Sequence, residues 1–357
     1  MKTFTLLLAL AVFPRMLLAL IIHVPADSAT IQSAIDGAIA GDTVLVTDNT
    51  YYESIDFLGK SITLASEFIL DGDSSHIYNT VIDGGGSDAV VSLTSEEDST
   101  TLLKGLTVQN GVRTVDILLS NVVIANCELL DGSVNAEHCY WSGVRLRDTH
   151  IGGDNASFVL NDGPCHIYAC QIDGNMSLGL LYGRSGDCQI DSSTINGTIW
   201  KGSCSLRVHS STINGNVESW QYASARLYNS TVTGYATSVQ DAVLTLDTCI
   251  IGKLECWNYG LVYATHSLIQ NGCSTSGLAL INLRQCNAMG KFSITNCELT
   301  LDSCIVVVDD SLAVECLSLP GESEIIAHCT DIYGFTHETW FDSTVRLQTK
   351  WTRCCES

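Results

Sequence analysis

Two neighbouring stretches of this chain hold Asp187 and Asp191, then Arg207 and His209. A carboxylate and an imidazole can relay a proton to a substrate, and a guanidinium can hold developing negative charge, so this set has the parts for acid–base catalysis on an acidic glycan. On one extended strand Asp187 and Asp191 stand about 13 Å apart. That exceeds the roughly 6.5 to 9.5 Å between the carboxyl groups of an inverting glycosidase. Proton transfer is better served across neighbouring strands, by Asp191 with His209. Around them, Arg145, Arg147, His166, Tyr168, Arg226 and Tyr228 have the chemistry of a binding surface. Arginine grips carboxylate or sulfate with two parallel hydrogen bonds, and aromatic rings stack on sugars. With Arg284, these residues include five of the ten arginines of the chain.

Positioning such residues requires a repeated element, and one is present. A six-residue signature (aliphatic, any, polar or small, small, any, aliphatic) begins at Ile77, Leu103, Ile124, Leu146, Ile167, Ile190, Val208 and Leu227. It continues more loosely from Thr245, Ala264, Leu283 and Leu301. From Val108 onward its last positions are 18 to 23 residues apart, too short for helical-pair repeats. Period-two alternation precedes each signature, as at Ala223, Ala225 and Leu227, so each unit begins with a strand whose alternate residues face inward. A corner follows, with Asn79, Asn126, Asp148, Asn229, Asp247 and Asn296 expected at such bends, because Asn and Asp tolerate left-handed backbone. The inward position after the corner reads Thr80, Leu106, Cys127, Thr149, Cys170, Ser193, Ser211, Ser230, Thr248, Ser267, Cys286, Cys304, nearly all small. Glycines such as Gly197 and Gly215 mark a second turn. The unit is therefore one coil of a stacked parallel β-helix.

Alternation places the pairs Arg145 and Arg147, His166 and Tyr168, Arg207 and His209, Arg226 and Tyr228, then Leu244 and Leu246, on the outer face of the long strand. Tyr263 with Thr265, and Asn282 with Arg284, extend it. Between Thr30 and Ala40 the apolar residues fall at helical spacing, which predicts a short amphipathic helix covering the N-terminal end.

Seventeen Lys and Arg oppose 39 Asp and Glu, a net charge of −22, which disfavours nucleic acid and anionic membranes as partners. Residues 1–19 have an early lysine, a short apolar run and a small residue at Ala19, the features of a signal peptide; the mature chain is expected to lack a membrane span. The helix is expected over residues 20–311, with a C-terminal coil and cap over 312–357.

The run Ile22-His23-Val24-Pro25-Ala26-Asp27, followed by Thr30-Ile31-Gln32-Ser33-Ala34-Ile35-Asp36 and Gly41-Asp42-Thr43-Val44-Leu45-Val46, resembles the start of secreted bacterial β-helix repeat proteins of the pectate-lyase-like fold. Val81-Ile82-Asp83-Gly84-Gly85-Gly86 and Gly105-Leu106-Thr107-Val108-Gln109-Asn110-Gly111 continue the likeness to about residue 112. The resemblance implies an all-β, right-handed parallel solenoid of about 12 coils and an extracellular or cell-surface location. It implies no single activity, since that fold hosts lyases, hydrolases, esterases and adhesins. Of the motifs of polygalacturonase-like enzymes only Asp309-Asp310 is present, and the Arg-x-Pro-x-x-Arg motif of pectate lyases is missing.

The reading that results is a secreted or surface β-helix that binds polysaccharide or contributes to adhesion without catalysis. A polysaccharide lyase or glycoside hydrolase acting on an acidic glycan is the alternative, and a structural spacer that self-associates through its ends is a second. Sixteen cysteines invite disulfides in an exported protein, with Cys165 and Cys188, and Cys286 and Cys304, at matching positions of adjacent coils; thiols packed as small hydrophobes are the competing reading. No metal site or cofactor is expected, apart from calcium at Asp71-Gly72-Asp73 or Asp83-Gly84. Trp200, Trp220 and Trp257 fall beyond the second turn, as a sugar-stacking strip or as half-buried packing. Thr194, Thr212 and Thr231 form a short outward ladder.

Overall fold

Most coils begin with a strand of four or five residues in which buried and more exposed side chains alternate, as in Ser205–His209 and Ser224–Tyr228. A computed structural model describes residues 19–139, 143–179, 186–295, 297–307, 324–328, 331–333 and 346–350. The chain is a parallel β-solenoid of about 14 turns and 6% helix. Sixteen long strands stack into one continuous sheet, from Ile21–Val24 to Arg346–Lys350. The turns beyond the expected 12 come from ends where the signature fades. Thr43–Val46 pairs with Ile21–Val24 at one end, and Glu324–His328 pairs with Arg346–Lys350 at the other.

After the corner, short strands such as Thr194–Ile195 and Thr212–Ile213 make a second face, and strands such as Ile199–Lys201 and Val217–Trp220 a third. In four coils a single strand runs through both, Thr80–Leu93, Thr107–Leu118, Thr231–Val239 and Ile250–Trp257, and the last two pair with a register shift between Val232 and Tyr235 at the bend.

Inward columns hold the stack together. Leu146, Ile167, Ile190, Val208, Leu227 and Leu246 are consecutive partners and at most 2% exposed. Each such burial contributes about 1.5 to 3 kcal/mol. The column after the corner is polar but satisfied. Ser193, Ser211 and Ser230 donate their hydroxyls to the carbonyls two residues earlier, at 2.7, 2.9 and 2.8 Å. The amides of Cys170, Ser193 and Ser211 in turn donate to the hydroxyl of the next coil, at 3.1, 3.1 and 3.2 Å.

One coil is phased differently from the sequence expectation. Cys249, not Thr248, occupies the inward column, and its amide donates to Ser267 Oγ at 3.1 Å. Thr248 is the corner, with φ of 56°, rather than Asp247. By the same one-residue slip, Leu244 and Leu246 are fully buried, and Val243, Thr245 and Asp247 face outward. Because side-chain direction alternates strictly, a slip of one residue inverts the whole strand. Asn126, Asp148 and Asn229 are corners, with φ of 54°, 48° and 48°. Asn79 instead ends the short helix Ser75–Asn79, and Asn296 lies outside the described residues. Gly197 and Gly215 follow the second face as expected, and both serve close approach. A Cβ on Gly215 would fall 2.2 Å from the Gly197 carbonyl oxygen.

The N-terminal helix is Ile31–Gly37, with Thr30 and Ser33 forming a reciprocal cap and Ile31, Ala34 and Ile35 buried. Glu53 accepts the free amides of Ile31 and Gln32 at 3.0 and 3.1 Å, which ties the helix to the first coils. Among the described residues no helix is long and apolar enough to cross a membrane. Residues 1–18 and Asp309-Asp310 lie outside the described residues, as does most of 312–357.

Candidate functional site

Parallel pairing turns the outer side of the long-strand sheet into two columns. In the first, Arg145, His166, Gln189, Arg207 and Arg226 are successive partners. In the second, Arg147, Tyr168, Asp191, His209 and Tyr228 are, and Asp247 follows. All ten residues proposed for the site therefore share one face, with Asp187 at its margin in register with Ser205.

The acidic members are already engaged. Asp187 pairs with Arg207 at 3.2 Å. Asp191 takes hydrogen bonds from His166 Nε2 at 2.9 Å and Gln189 Nε2 at 2.7 Å, both on Oδ2. His209 neighbours Asp191 in register, but its ring is stacked on Tyr228, with centroids 5.2 Å apart and planes within 6°. His166 meets Tyr168 edge to face at 6.5 Å. The basic members are less committed. Arg145, Arg147 and Arg226 are exposed, and among the described residues no carboxylate lies within ion-pairing distance of them. Further along, Arg284 sits 3.6 Å from Asp302, and His266 3.1 Å from Asp247. The His266 imidazole holds the Asp247 carboxyl below its ordinary value.

Sequence reasoning missed one basic residue here. Lys104, Ala125 and Arg147 are partners in the second column, so the small Ala125 lies between two cations. They line an open trough of about 470 Å³ with Thr100, Asn126 and Asp148, and the Lys104 ammonium sits 5.7 Å over the Phe68 ring. Counting one coil back from Arg147 and then another would have found it.

Outside this face, His150 bridges Glu128 at 2.7 Å and Asp173 at 2.9 Å. Burial pulls its imidazole down, but the bonds to Asp173 and Glu128 outweigh that and hold it above its ordinary value. The donor atoms of Asp48, Glu67 and His76 lie within 4.8 Å of one another, a set chemically able to hold a cation. At the two calcium candidates the carboxylates take part in local hydrogen bonds. Asp71 and Asp73 accept local backbone amides, and Asp83 accepts from Gly85, Gln109 and Asn110. The twelve described cysteines are all buried thiols, with Cys165 and Cys188 in register. Thr194, Thr212 and Thr231 do stack, and Ile250 ends the ladder. Trp200 falls in a different column from Trp220 and Trp257.

What the geometry defines is a class, a parallel β-solenoid with a basic and aromatic strip along its long-strand sheet. No protein-family model matches the chain, and no curated protein does.

Proposed function

We propose that the chain is an exported, right-handed β-helix that binds an acidic polysaccharide along the long-strand face and does not turn it over. The observation that carries this reading is that Arg145, Arg147 and Arg226 stand exposed and, among the described residues, have no carboxylate within ion-pairing distance in a protein of net charge −22. An acidic chain surrounds its arginines with potential partners, so three that have none among the described residues, beside Tyr168 and stacked Tyr228, suit an external anion. Against catalysis, Asp187 and Asp191 are both occupied by neighbours. After Ile195 short turns also leave little to wall a groove: only Gln221, Tyr222 and Ala223 separate Val217–Trp220 from the next long strand. The N-terminal apolar run and the likeness over residues 22–112 support export and the right-handed coil.

The test is titration with polygalacturonate and with a sulfated glycan. Arg145→Ala with Arg226→Ala should weaken binding by about tenfold or more, the equivalent of about 1.4 kcal/mol. Binding should also fall as salt rises, because these contacts are exposed. No binding by the folded wild type would return the face to ordinary solvated surface, and release of shortened or unsaturated sugars would make the chain an enzyme.

A further inference from the structure

The turns that lead from the third face back to the long-strand sheet are stacked in register. Gln221 with Tyr222, Gln240 with Asp241, Asn258 with Tyr259, and Gly277 with Leu278 occupy equivalent places. The Tyr222 amide donates to the Gln240 carbonyl at 3.1 Å, and the Tyr259 amide to the Gly277 carbonyl at 3.0 Å. All of these residues have positive φ, including 60° at Tyr222 and 66° at Tyr259. Left-handed backbone costs a non-glycine residue about 1 to 2 kcal/mol, and Asn or Gly bears it best. The turn imposes this backbone on every residue of the column, Leu278 at 62° included, so what sets Tyr222 and Tyr259 apart is the ring each presents. Packing does not explain it, since Tyr222 is 80% exposed and Tyr259 56%.

Two residues before each tyrosine stands a tryptophan. Trp220 and Trp257 flank Val239 in one column and are 41% and 43% exposed. The edge thus presents two equivalent Trp and Tyr pairs, two coils or about 10 Å apart. Carboxylates are interleaved with them. Asp241 lies between the tyrosines in the turn column, and Glu218 accepts from Trp220 Nε1 at 3.4 Å. The Lys253 ammonium on the same face is taken by Glu255 at 2.8 Å. This charge repels an anionic polymer or lipid, and it repels a second copy that would bring Asp241 towards Asp241. A neutral, hydroxyl-rich chain fits, with rings stacking on the C–H faces of sugars and carboxylates accepting their hydroxyls.

We propose that this edge is a stacking platform for a neutral polysaccharide, chemically distinct from the arginine face. The experiment is titration of the full chain with cellohexaose and mannohexaose, followed by tryptophan fluorescence, with polygalacturonate as the anionic control. Tyr222→Gly with Tyr259→Gly removes both rings at positions where glycine is the unstrained choice, so the fold should persist with an unchanged or raised melting temperature. The expected result is that a neutral hexasaccharide shifts the fluorescence of wild type, and that the double variant weakens this at least tenfold while the polygalacturonate response stays as it was. Three results would overturn the platform: neither hexasaccharide binding the folded wild type, binding that survives in the double variant, or concentration-dependent dimers or phosphatidylcholine-vesicle binding that the double variant abolishes. Loss of polygalacturonate binding alone would bear on the arginine face and leave this edge standing.

Discussion

Lys201 is the least expected residue in the interior. Its side chain is fully buried, its ammonium has no hydrogen-bond partner among the described residues, and burial pushes its pKa down to about 8. Strict alternation through Ile199, Trp200 and Lys201 does place it inward, but a charged type at that position reads as surface. In the unfolded chain the amine keeps its proton up to about pH 10.5, so between about 8 and 10.5 the unfolded state binds more protons and stability rises with pH. At pH 7 the folded chain therefore carries a buried charge at a cost of about 3 kcal/mol. Lys201→Met should raise stability at pH 7 by about 2 kcal/mol in denaturant titrations, a gain that shrinks as the pH approaches 10. An unchanged midpoint at pH 7 would mean that water reaches the amine. The arginines were legible by contrast, because exposed positions of an alternating strand announce themselves.

Between strands, the corner column matters most. Ser211 both closes its own bend on the His209 carbonyl and accepts the Ser193 amide. Ser211→Ala leaves that amide without its acceptor and should cost about 1 to 2 kcal/mol. Ser211→Cys restores the type found at Cys170 and Cys249, whose thiols make the same bond to the carbonyl two residues earlier, and should cost less. Denaturant midpoints of the two variants compared with wild type decide it; equal losses would show that packing, not the hydrogen bond, sets the preference. The repeat, the alternation and most corners could be read directly from residue spacing. The coil at Val243–Asp247 could not, since its run Val243, Leu244, Thr245, Leu246 admits either phase, and only pairing with Tyr228 and Thr265 selects one. The tyrosine edge stayed hidden because nothing in the spacing shows which turn residues take left-handed backbone.

At the scale of the whole molecule, the buried thiols set the response to alkali. Burial pushes Cys127, Cys139 and Cys256 up to about 12 and Cys170 up to about 11. Unfolded thiols ionise near pH 9, so above that the unfolded state sheds protons that the folded state keeps, and stability falls as pH rises. At pH 10 each of the four should cost about 1.4 kcal/mol, together more than the roughly 2.5 kcal/mol that Lys201 returns over the same range. Melting temperature should therefore drop between pH 8 and pH 10 in the absence of oxidant, and a thiol reagent should label these residues only after denaturant is added. A flat profile would show that the thiols are not buried in solution.

In-register pairing has one more consequence. The axial distance between two outward side chains depends only on how many rungs separate them, whatever the turns contain, so the molecule is graduated like a measuring tape. Excising one whole coil between the paired rings would leave every other rung aligned but bring Tyr222 and Tyr259 onto adjacent marks. Spacing along the edge is thus a quantity that can be edited in fixed steps, without redesigning a single contact on the face.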